Sequence, residues 1–249
     1  REVWNLMGVY AGPEINKDGL VLLLDAGNTK SYPGSGTSII DLTGSGENGT
    51  MINMDASNHN SDGYFTFDGT SEYFSVTKSN FFTSYSQQIT MEAWVYIPSS
   101  ATWSNGYYSN IFTRGNFSGS HGLWRSSTNN RVVFYCRQLD PFDDQDSFAD
   151  ISRDTWYHLV GVWNAGTKIY VNGELIDSDS ATFTGDTQNN ENEANSGWGS
   201  FRIGQNTAAS GAAGNYFEGR QAAHKIYDRE LTASEIKQNF NALRGRFGI

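Results

Sequence analysis

The sequence predicts an all-β protein that ends in one short helix. Apolar and polar residues alternate with a period of two along much of the chain, as in strands that bury one face. Aromatic residues make up 14% of the 249 residues, enough to fill a core. Asn172-Gly173 is a strong hairpin signal, because both residues tolerate a positive φ.

The predicted strands are short and separated by turn residues. They cover residues 20–25, 64–67, 72–76, 89–97, 131–137, 156–163, 168–171 and 174–176. The clearest is 89–97, in which every second residue is apolar, whereas 20–25 is a continuous apolar run typical of a strand buried on both faces. Residues 27–60, an acidic stretch at 140–150 and a polar stretch at 185–197 are predicted to be solvated loops.

The final element is predicted to be a helix over residues 232–244. Thr232 and Glu235 have the spacing of a capping box, which satisfies backbone N–H groups at the first turn. Ile236, Phe240 and Leu243 recur at spacings of four and three, so they form one apolar face. We expect this helix to lie along the edge of the sheets.

The chain length suits one large all-β domain, which we assign to residues 20–249. Residues 1–19 carry apolar side chains without a clean period and lead through the turn pair Gly12-Pro13. An exposed apolar segment is poorly tolerated in a soluble protein. We therefore expect an arm that serves assembly or acts as a linker, buried on a partner or within a closed homo-oligomer. The chain begins with Arg1, and its true N-terminus stays open.

Composition excludes several classes of partner. The net charge is −10, so no basic surface is expected for nucleic acid or an anionic bilayer. The longest apolar run, Leu20 to Leu24, is far shorter than the roughly 20 residues that span a membrane. We expect neither nucleic-acid binding nor membrane insertion. The lone Cys136 forms no intrachain disulfide and is predicted to be a packed thiol.

No catalytic constellation is found, and the protein is predicted not to be an enzyme. Retaining glucanases need two carboxylates about 5 Å apart, whereas Glu191 and Glu193 stand in a loop with no strand to orient them. His158 lies between aromatic neighbours and lacks a nucleophile motif, which indicates a structural histidine. The G-x-G-x-x-G pattern at 44–49 is followed by no helix, so it is predicted to be a flexible turn.

Five segments occur in a characteristic order: residues 67–69 with Tyr73, then 89–95, 156–160, 168–173 and 226–232. Together they resemble the laminin-G-like branch of the concanavalin A-like lectin/glucanase fold, over residues 20–243. The resemblance implies a jelly-roll sandwich of two antiparallel sheets. This agrees with the strand count obtained from the alternation.

A narrower resemblance lies in residues 22–28, 31–37, 41–44 and the closing segment 242–249. These are similar to laminin-G-like domains in structural proteins of tailed phages, especially marine ones. The resemblance implies a noncatalytic virion protein on the particle surface, as a decoration, fibre or tail-associated subunit. Its partners would be other virion proteins, copies of itself and host-surface glycans. Many such domains are modules of longer chains, whereas this domain nearly fills the chain. The alternative is a secreted bacterial carbohydrate-binding module.

Candidate ligand contacts follow in part from this resemblance. Asp25 and Asp41 match acidic positions in the early loops of the family, whose members often hold calcium. The cluster at Asp140, Asp143, Asp144 and Asp146 offers hard oxygen ligands, although a solvated face is favoured for both groups. No cofactor and no metal ligand is assigned, and calcium stays an open alternative. His59, His121 and His224 share no zinc-binding spacing.

Aromatic side chains in loops stack on sugar rings when they are exposed. The candidates in this sequence are Trp103, Tyr107, Tyr108, Phe117, Trp124 and Trp198. Burial in the core is the more usual fate of such residues. No glycan-binding residue is therefore assigned from the sequence.

Overall fold

A computed structural model describes residues 13–76, 88–102, 108–114, 121–126, 130–139, 142–180, 201–207 and 213–249. They form two packed antiparallel sheets with a helix on the outer face of one of them. The predicted all-β sandwich with one C-terminal helix is confirmed. No helix in the described ranges is long and apolar enough to cross a membrane.

The strands follow in chain order. The first nine are β1 (Leu20–Asp25), β2 (Ser38–Ile39), β3 (Gly49–Ile52), β4 (His59–Asn60), β5 (Tyr64–Asp68), β6 (Tyr73–Val76), β7 (Gln88–Tyr96), β8 (Tyr108–Arg114) and β9 (His121–Ser126). The others are β10 (Arg131–Leu139), β11 (Phe142–Asp150), β12 (Trp156–Asn164), β13 (Gly166–Val171), β14 (Glu174–Ser180), β15 (Phe201–Ile203), β16 (Asn206–Thr207), β17 (Ala213–Gly214) and β18 (Glu218–Tyr227). A short 3-10 helix covers Ala56–Asn58, and the α-helix α1 covers Ala233–Phe247.

Most of the strands belong to one or other of two large sheets, in a jelly-roll arrangement. Sheet A has the order β14-β13-β12-β7-β18-β5-β4, with β1 also paired to β18. Sheet B has the order β11-β10-β9-β8-β15-β6-β3-β2. The pairing of β1 with β18 brings the first and last strands of the domain side by side.

The core lies between the inner faces of the sheets. Strand β7 contributes Met91, Ala93 and Val95, in the alternation that the sequence predicts. Gly161 of β12 shows how closely the sheets approach, since a Cβ atom there would stand 1.9 Å from the ring of Phe134 on sheet B. Glycine is therefore required at position 161 for this ring to fill the core.

The outer face of β7 is buried as well, because α1 lies across it. Thr90, Glu92 and Trp94 are fully buried. The rings of Phe240 and Phe247 stack on Trp94 with centroid distances of 5.9 and 4.2 Å. The helix therefore packs on a sheet face and not along an edge as expected, because its apolar side chains meet this indole and not the rim of the sheet.

The ends of α1 follow from local chemistry. Thr232 is the N-cap, and its side chain and that of Glu235 form the predicted capping box. The helix continues to Phe247, three residues beyond the predicted end, and Gly248 closes it with a φ of 72°. A left-handed residue of this kind is the usual helix terminator.

A buried polar network joins α1 to sheet A. Glu92 accepts hydrogen bonds from Lys225 Nζ at 2.6 Å, His158 Nε2 at 3.2 Å and Asn239 Nδ2 at 2.6 Å. Asn239 also donates to the hydroxyl of Tyr227 at 2.9 Å. Burial alone raises the pKa of Glu92, but the charge of Lys225 and the contacts with His158 outweigh it and lower the pKa to about 2. The carboxylate is thus held ionised in the interior.

Residues 14–18 of the predicted arm lie against α1. Asn16 donates from its backbone N–H to Asn239 Oδ1 at 2.7 Å and accepts from Tyr227 at its carbonyl at 2.9 Å. Gln238 donates to the carbonyl of Glu14 at 2.6 Å. Residues 1–12, which hold the apolar side chains of the arm, lie outside the described residues, so the role of the arm in assembly stays a prediction.

Two of the predicted loops contain strands. The acidic stretch at 140–150 was predicted to be a loop, which is wrong, because β11 pairs with β10 from Arg131–Asp150 to Leu139–Phe142. Small side chains, Ser147 and Ala149, are buried there between exposed neighbours, so the alternation has few large apolar residues. Charged residues suit an edge strand, since they discourage pairing with other chains. Residues 27–60 contain β2, β3 and β4, and 185–197 lies outside the described residues.

Replacing Phe240 tests whether α1 is docked. Phe240→Ala is expected to lower the free energy of unfolding by about 3 to 5 kcal/mol, because it empties a buried site beside Trp94. Thr232→Ala should cost about 1 kcal/mol through loss of the cap. Urea unfolding measures both, and Asn241→Ala, at an exposed position of the same helix, is the control. A Phe240→Ala protein with unchanged melting would show that the helix does not stabilise the sandwich.

The free energy of unfolding is also expected to decrease as the pH drops from about 7 to about 3. Glu92 has an ordinary pKa of 4.5 and a folded value of about 2, so its contribution is complete above pH 4.5 and is lost as the pH falls towards 2. Burial and the charge of Lys225 lower the pKa of His224 from 6.5 to about 3, and its contribution is lost across that interval. Urea unfolding at a series of pH values measures the combined slope.

The variant Glu92→Gln isolates the carboxylate in this measurement. At pH 7 it should be less stable by about 3 to 5 kcal/mol, because Lys225 is left buried without its partner. Below pH 4.5 its stability should depend less steeply on pH than that of the wild type. Equal slopes in the two proteins would refute the assignment of the acid sensitivity to Glu92.

Candidate functional site

Four partly buried side chains lie together on the outer face of sheet A beyond the end of α1. They are Tyr64 of β5, Tyr96 of β7, Trp156 of β12 and Arg220 of β18, and we call them the Arg220 platform. Trp156 and Arg220 each stand opposite Tyr96 in the strand register. Because alternate residues of a strand share a face, Tyr96 projects on the same side as Trp94 and Glu92.

Two of the aromatic rings flank the guanidinium group of Arg220, and the third packs against those two rings. The Cζ atom of Arg220 lies 4.6 Å from the ring centroid of Tyr96 and 5.0 Å from that of Tyr64, within cation–π distance of both. The ring of Trp156 is 5.8 Å from Tyr96 and 5.6 Å from Tyr64. It also contacts Phe247 at 4.7 Å, so the end of α1 fixes one side of the platform.

Arg220 has no acidic partner in the described part of the chain, although carboxylates lie nearby. Glu218, two residues earlier on the same face, accepts from the backbone and the hydroxyl of Thr102 at 2.6 and 3.0 Å. Asp154 accepts from Ser99 N at 2.8 Å and lies 3.4 Å from the Tyr96 hydroxyl. Each carboxylate already has donors, and the donors of the Arg220 guanidinium have no partner among the described residues.

Asp68, which lies opposite Glu218 in the strand register, also has a carboxylate that is hydrogen-bonded to protein groups. Its carboxylate accepts from the backbone N–H groups of Thr70, Ser71 and Glu72 and from the Thr70 hydroxyl. Partial burial opposes ionisation, but these hydrogen bonds lower the pKa of Asp68 to about 2. The group is an ionised turn-forming carboxylate, and proton transfer near neutral pH is not a role for it.

Trp124, a candidate sugar platform from the sequence, is the wrong choice. It is only 1% exposed and stacks on Tyr135 with a centroid distance of 4.9 Å. Its indole lies over Gly122, where a Cβ atom would be 2.3 Å from Nε1. Tyr108 begins β8, but its side chain lies outside the described residues. Four other candidates, Trp103, Tyr107, Phe117 and Trp198, lie there as well.

The candidate calcium ligands of the early loops bind protein groups. Asp25 pairs with Arg246 Nη1 at 2.6 Å and accepts from the backbone of Gly27. Asp41 is nearly buried, and its two oxygens accept from Leu23 N at 2.9 Å and from the hydroxyl and backbone of Ser45 at 2.8 and 3.2 Å. These donors occupy positions that a cation would need.

The acidic cluster at 140–146 is only partly described. Asp143, Asp144 and Asp146 lie on β11, with Asp144 opposite Arg137 and Asp146 opposite Tyr135 in the register. The side chains of Asp143 and Asp144, and all of Asp140, lie outside the described residues. Within the described ranges, no group of three or more histidine, cysteine or acidic side chains is placed to hold a metal ion.

The remaining sequence candidates have structural positions. His158 is fully buried, stacks on Trp94 at 5.1 Å and contacts Glu92, as expected of a structural histidine. Burial lowers its pKa. Cys136 is a buried free thiol whose pKa is raised by that burial. The pattern at 44–49 forms a turn and then enters β3, with no helix to bind a phosphate.

Comparison with known proteins assigns the family. The model of a family described as the concanavalin A-like lectin/glucanases superfamily, laminin-G type, matches residues 67–237, which is more than half of the chain. The chain belongs to this superfamily. The match includes Tyr96, Trp156 and Arg220 but begins just after Tyr64. None of the curated protein sequences compared with the chain matches it.

Solved structures with the same superfamily fold include receptor-binding domains of botulinum neurotoxins. The serotype D binding domain has a TM-score of 0.63 and 13% identity, over 90% of this chain and 51% of that one. The serotype D ligand-binding domain in complex with N-acetylneuraminic acid has a TM-score of 0.62 and 15% identity, over 90% and 50%. The binding domain of neurotoxin DC in complex with SialylT has a TM-score of 0.62 and 18% identity, over 91% and 52%. The chain thus spans about half the length of these domains.

Proposed function

We propose that this protein is a noncatalytic, lectin-like domain displayed on the surface of a tailed-phage virion, where it binds host glycans through the Arg220 platform. One observation carries the glycan-binding part of the proposal. Two partly buried tyrosine rings flank an arginine that has no acidic partner among the described residues, and Trp156 packs against both of these rings, on a lectin-type sandwich.

The chemistry of the platform suits a sugar. Aromatic faces pack against the C–H surface of a pyranose ring, and tyrosine and tryptophan also present a polar edge. The guanidinium of Arg220 offers several N–H donors in a fixed plane, which fits the oxygen atoms around a sugar ring. All four side chains start from paired strands and not from loops, so their spacing is preorganised. Preorganised aromatic anchors lose little entropy on binding.

The virion assignment rests on different support. Residues 22–28, 31–37, 41–44 and the closing segment 242–249 resemble laminin-G-like domains of tailed-phage structural proteins, which act as decorations, fibres or tail-associated subunits. The net charge of −10 disfavours binding of this chain to nucleic acid. Structurally similar neurotoxin domains are receptor-binding proteins, which agrees with a role in surface attachment. A secreted bacterial carbohydrate-binding module would use the same platform. Mass spectrometry of purified particles distinguishes this alternative from a virion protein, because only a virion protein would be found in them.

A glycan array containing neutral and acidic sugars tests the binding proposal. The wild-type protein is expected to bind a subset of glycans, and Trp156→Ala should reduce that binding about tenfold or more, because one stacking face is lost. The control is Phe148→Ala, since Phe148 is a partly exposed aromatic residue on sheet B. Assays of reducing ends on the bound glycans should stay at background, because the platform holds no pair of carboxylates suited to hydrolysis.

Two outcomes of the array would overturn parts of this proposal. Folded wild-type protein that binds no glycan would refute the lectin-like function. Turnover of a bound glycan would refute the noncatalytic assignment, whichever residues caused it.

Deleting residues 1–12 tests the assembly role of the arm. The truncated protein is expected to keep its melting temperature, because the contacts of Glu14 and Asn16 with α1 remain. It should lose self-association or incorporation into particles, measured by light scattering and by particle binding. Normal assembly of the truncated chain would show that the arm is only a linker.

A further inference from the structure

We infer that the Arg220 platform selects glycans that carry a carboxylate, such as uronic or sialic acids, over neutral sugars. This inference rests on the proposed glycan-binding function and specifies the substrate class of that site. It depends on the charge state and the surroundings of Arg220.

The guanidinium of Arg220 has no acidic partner among the described residues. The chain has 27 acidic and 17 basic residues, so acidic partners are plentiful. Several described basic side chains form ion pairs: Lys17, Arg131, Lys168, Lys225, Arg229, Lys237 and Arg246. The side chain of Arg220 forms neither an ion pair nor a hydrogen bond with another described residue, although it is partly buried. The two tyrosine rings cover the faces of the guanidinium and leave its N–H donors available.

The two tyrosines prepare Arg220 for an anion. Rings at 4.6 and 5.0 Å displace water from the guanidinium and limit the rotamers of its long side chain. A planar guanidinium binds a carboxylate through two parallel N–H···O bonds, which are stronger than bonds between neutral groups. A neutral sugar offers only hydroxyl groups at the same position and gains less.

The nearby carboxylates do not compete for this position. Glu218 is held by Thr102, and Asp154 is held by Ser99. The carboxylate of Asp68 accepts hydrogen bonds from the backbone of its own turn. Neutralising any of them would not free a donor on Arg220, because none of them is bonded to it.

Trp156 places the sugar ring beside the charge. Its indole contacts both tyrosine rings that flank Arg220, so one monosaccharide can stack on Trp156 while its carboxylate meets the guanidinium. A second arginine shows the contrast. Arg202 of sheet B lies 5.0 Å from the ring centroid of Tyr73, but it donates to the side chain of Gln205 and has a single ring beside it, so part of its donor set is used within the protein.

The test compares an acidic sugar with its own neutral ester. The probes are the methyl glycoside of N-acetylneuraminic acid and methyl glucuronide, each as the free acid and as the methyl ester, titrated by NMR into the full chain. For at least one sugar, the acid is expected to bind about tenfold more tightly than the ester, the range of one charge-assisted hydrogen bond. Rising salt should weaken binding of the acid and leave the ester unaffected.

Variants assign that preference to Arg220. In Arg220→Gln the ratio of acid to ester affinity should fall to about one, whereas Arg220→Lys keeps the charge without the planar fork and should keep part of the preference. Arg244→Gln removes the same charge from an exposed position of α1 and should leave the ratio unchanged. The salt dependence of the wild-type protein gives an answer even where a variant is poorly folded.

The outcomes separate this inference from the proposed function. Equal binding of acid and ester by the wild type, or an unchanged ratio in Arg220→Gln, overturns the acidic-sugar selectivity. If neutral glycans still bind and Trp156→Ala removes that binding, the lectin-like function stands while the selectivity falls. If no glycan on the array and neither probe binds the folded protein, both fall.

Discussion

The buried carboxylate of Glu92 is the group on which the docking of α1 depends. It lies on β7 and receives hydrogen bonds from β18, β12 and α1 through Lys225, His158 and Asn239. A charge in this position is tolerated only because each of these donors is present. Once α1 is held there, Phe247 contacts Trp156, and the uncovered part of sheet A becomes the Arg220 platform. The Arg220 platform is thus shaped by a polar contact at a distance from it.

The sequence predicts those parts of the fold in which local pattern and burial agree. β7 and β12 were found because large apolar residues mark their inner faces, and α1 because its cap is a local motif. β18 was not predicted, because its buried residues include the polar Gln221, His224 and Lys225. These side chains are buried through contacts with other strands and not through their own hydrophobicity. β11 was mistaken for a loop because its described buried positions carry small side chains and four of its nine residues are aspartates. In both strands, tertiary contacts decide the structure and local propensity does not.

The candidate site was harder to predict than the fold. The aromatic candidates taken from the sequence stand in predicted loops, whereas Tyr64, Tyr96 and Trp156 belong to strands. A signal was present in β7, where Trp94 and Tyr96 occupy the face opposite to the apolar core residues. The sequence pattern does not reveal the register between strands that are distant in sequence. Only that register places Arg220 opposite Tyr96. The same long-range order leaves Arg220 without an acidic partner among the described residues.

The attachment of Asn16 to α1 has a mechanical consequence. Tension applied through the segment before Asn16 passes first to Asn239, Glu235 and Tyr227, and only afterwards to the β1–β18 pair. A few side-chain hydrogen bonds yield at lower force than two strands pulled in shear. Residues 14–16 therefore detach from α1 before β1 separates from β18, so a load on the arm is released while the sandwich and its docked helix keep their shape.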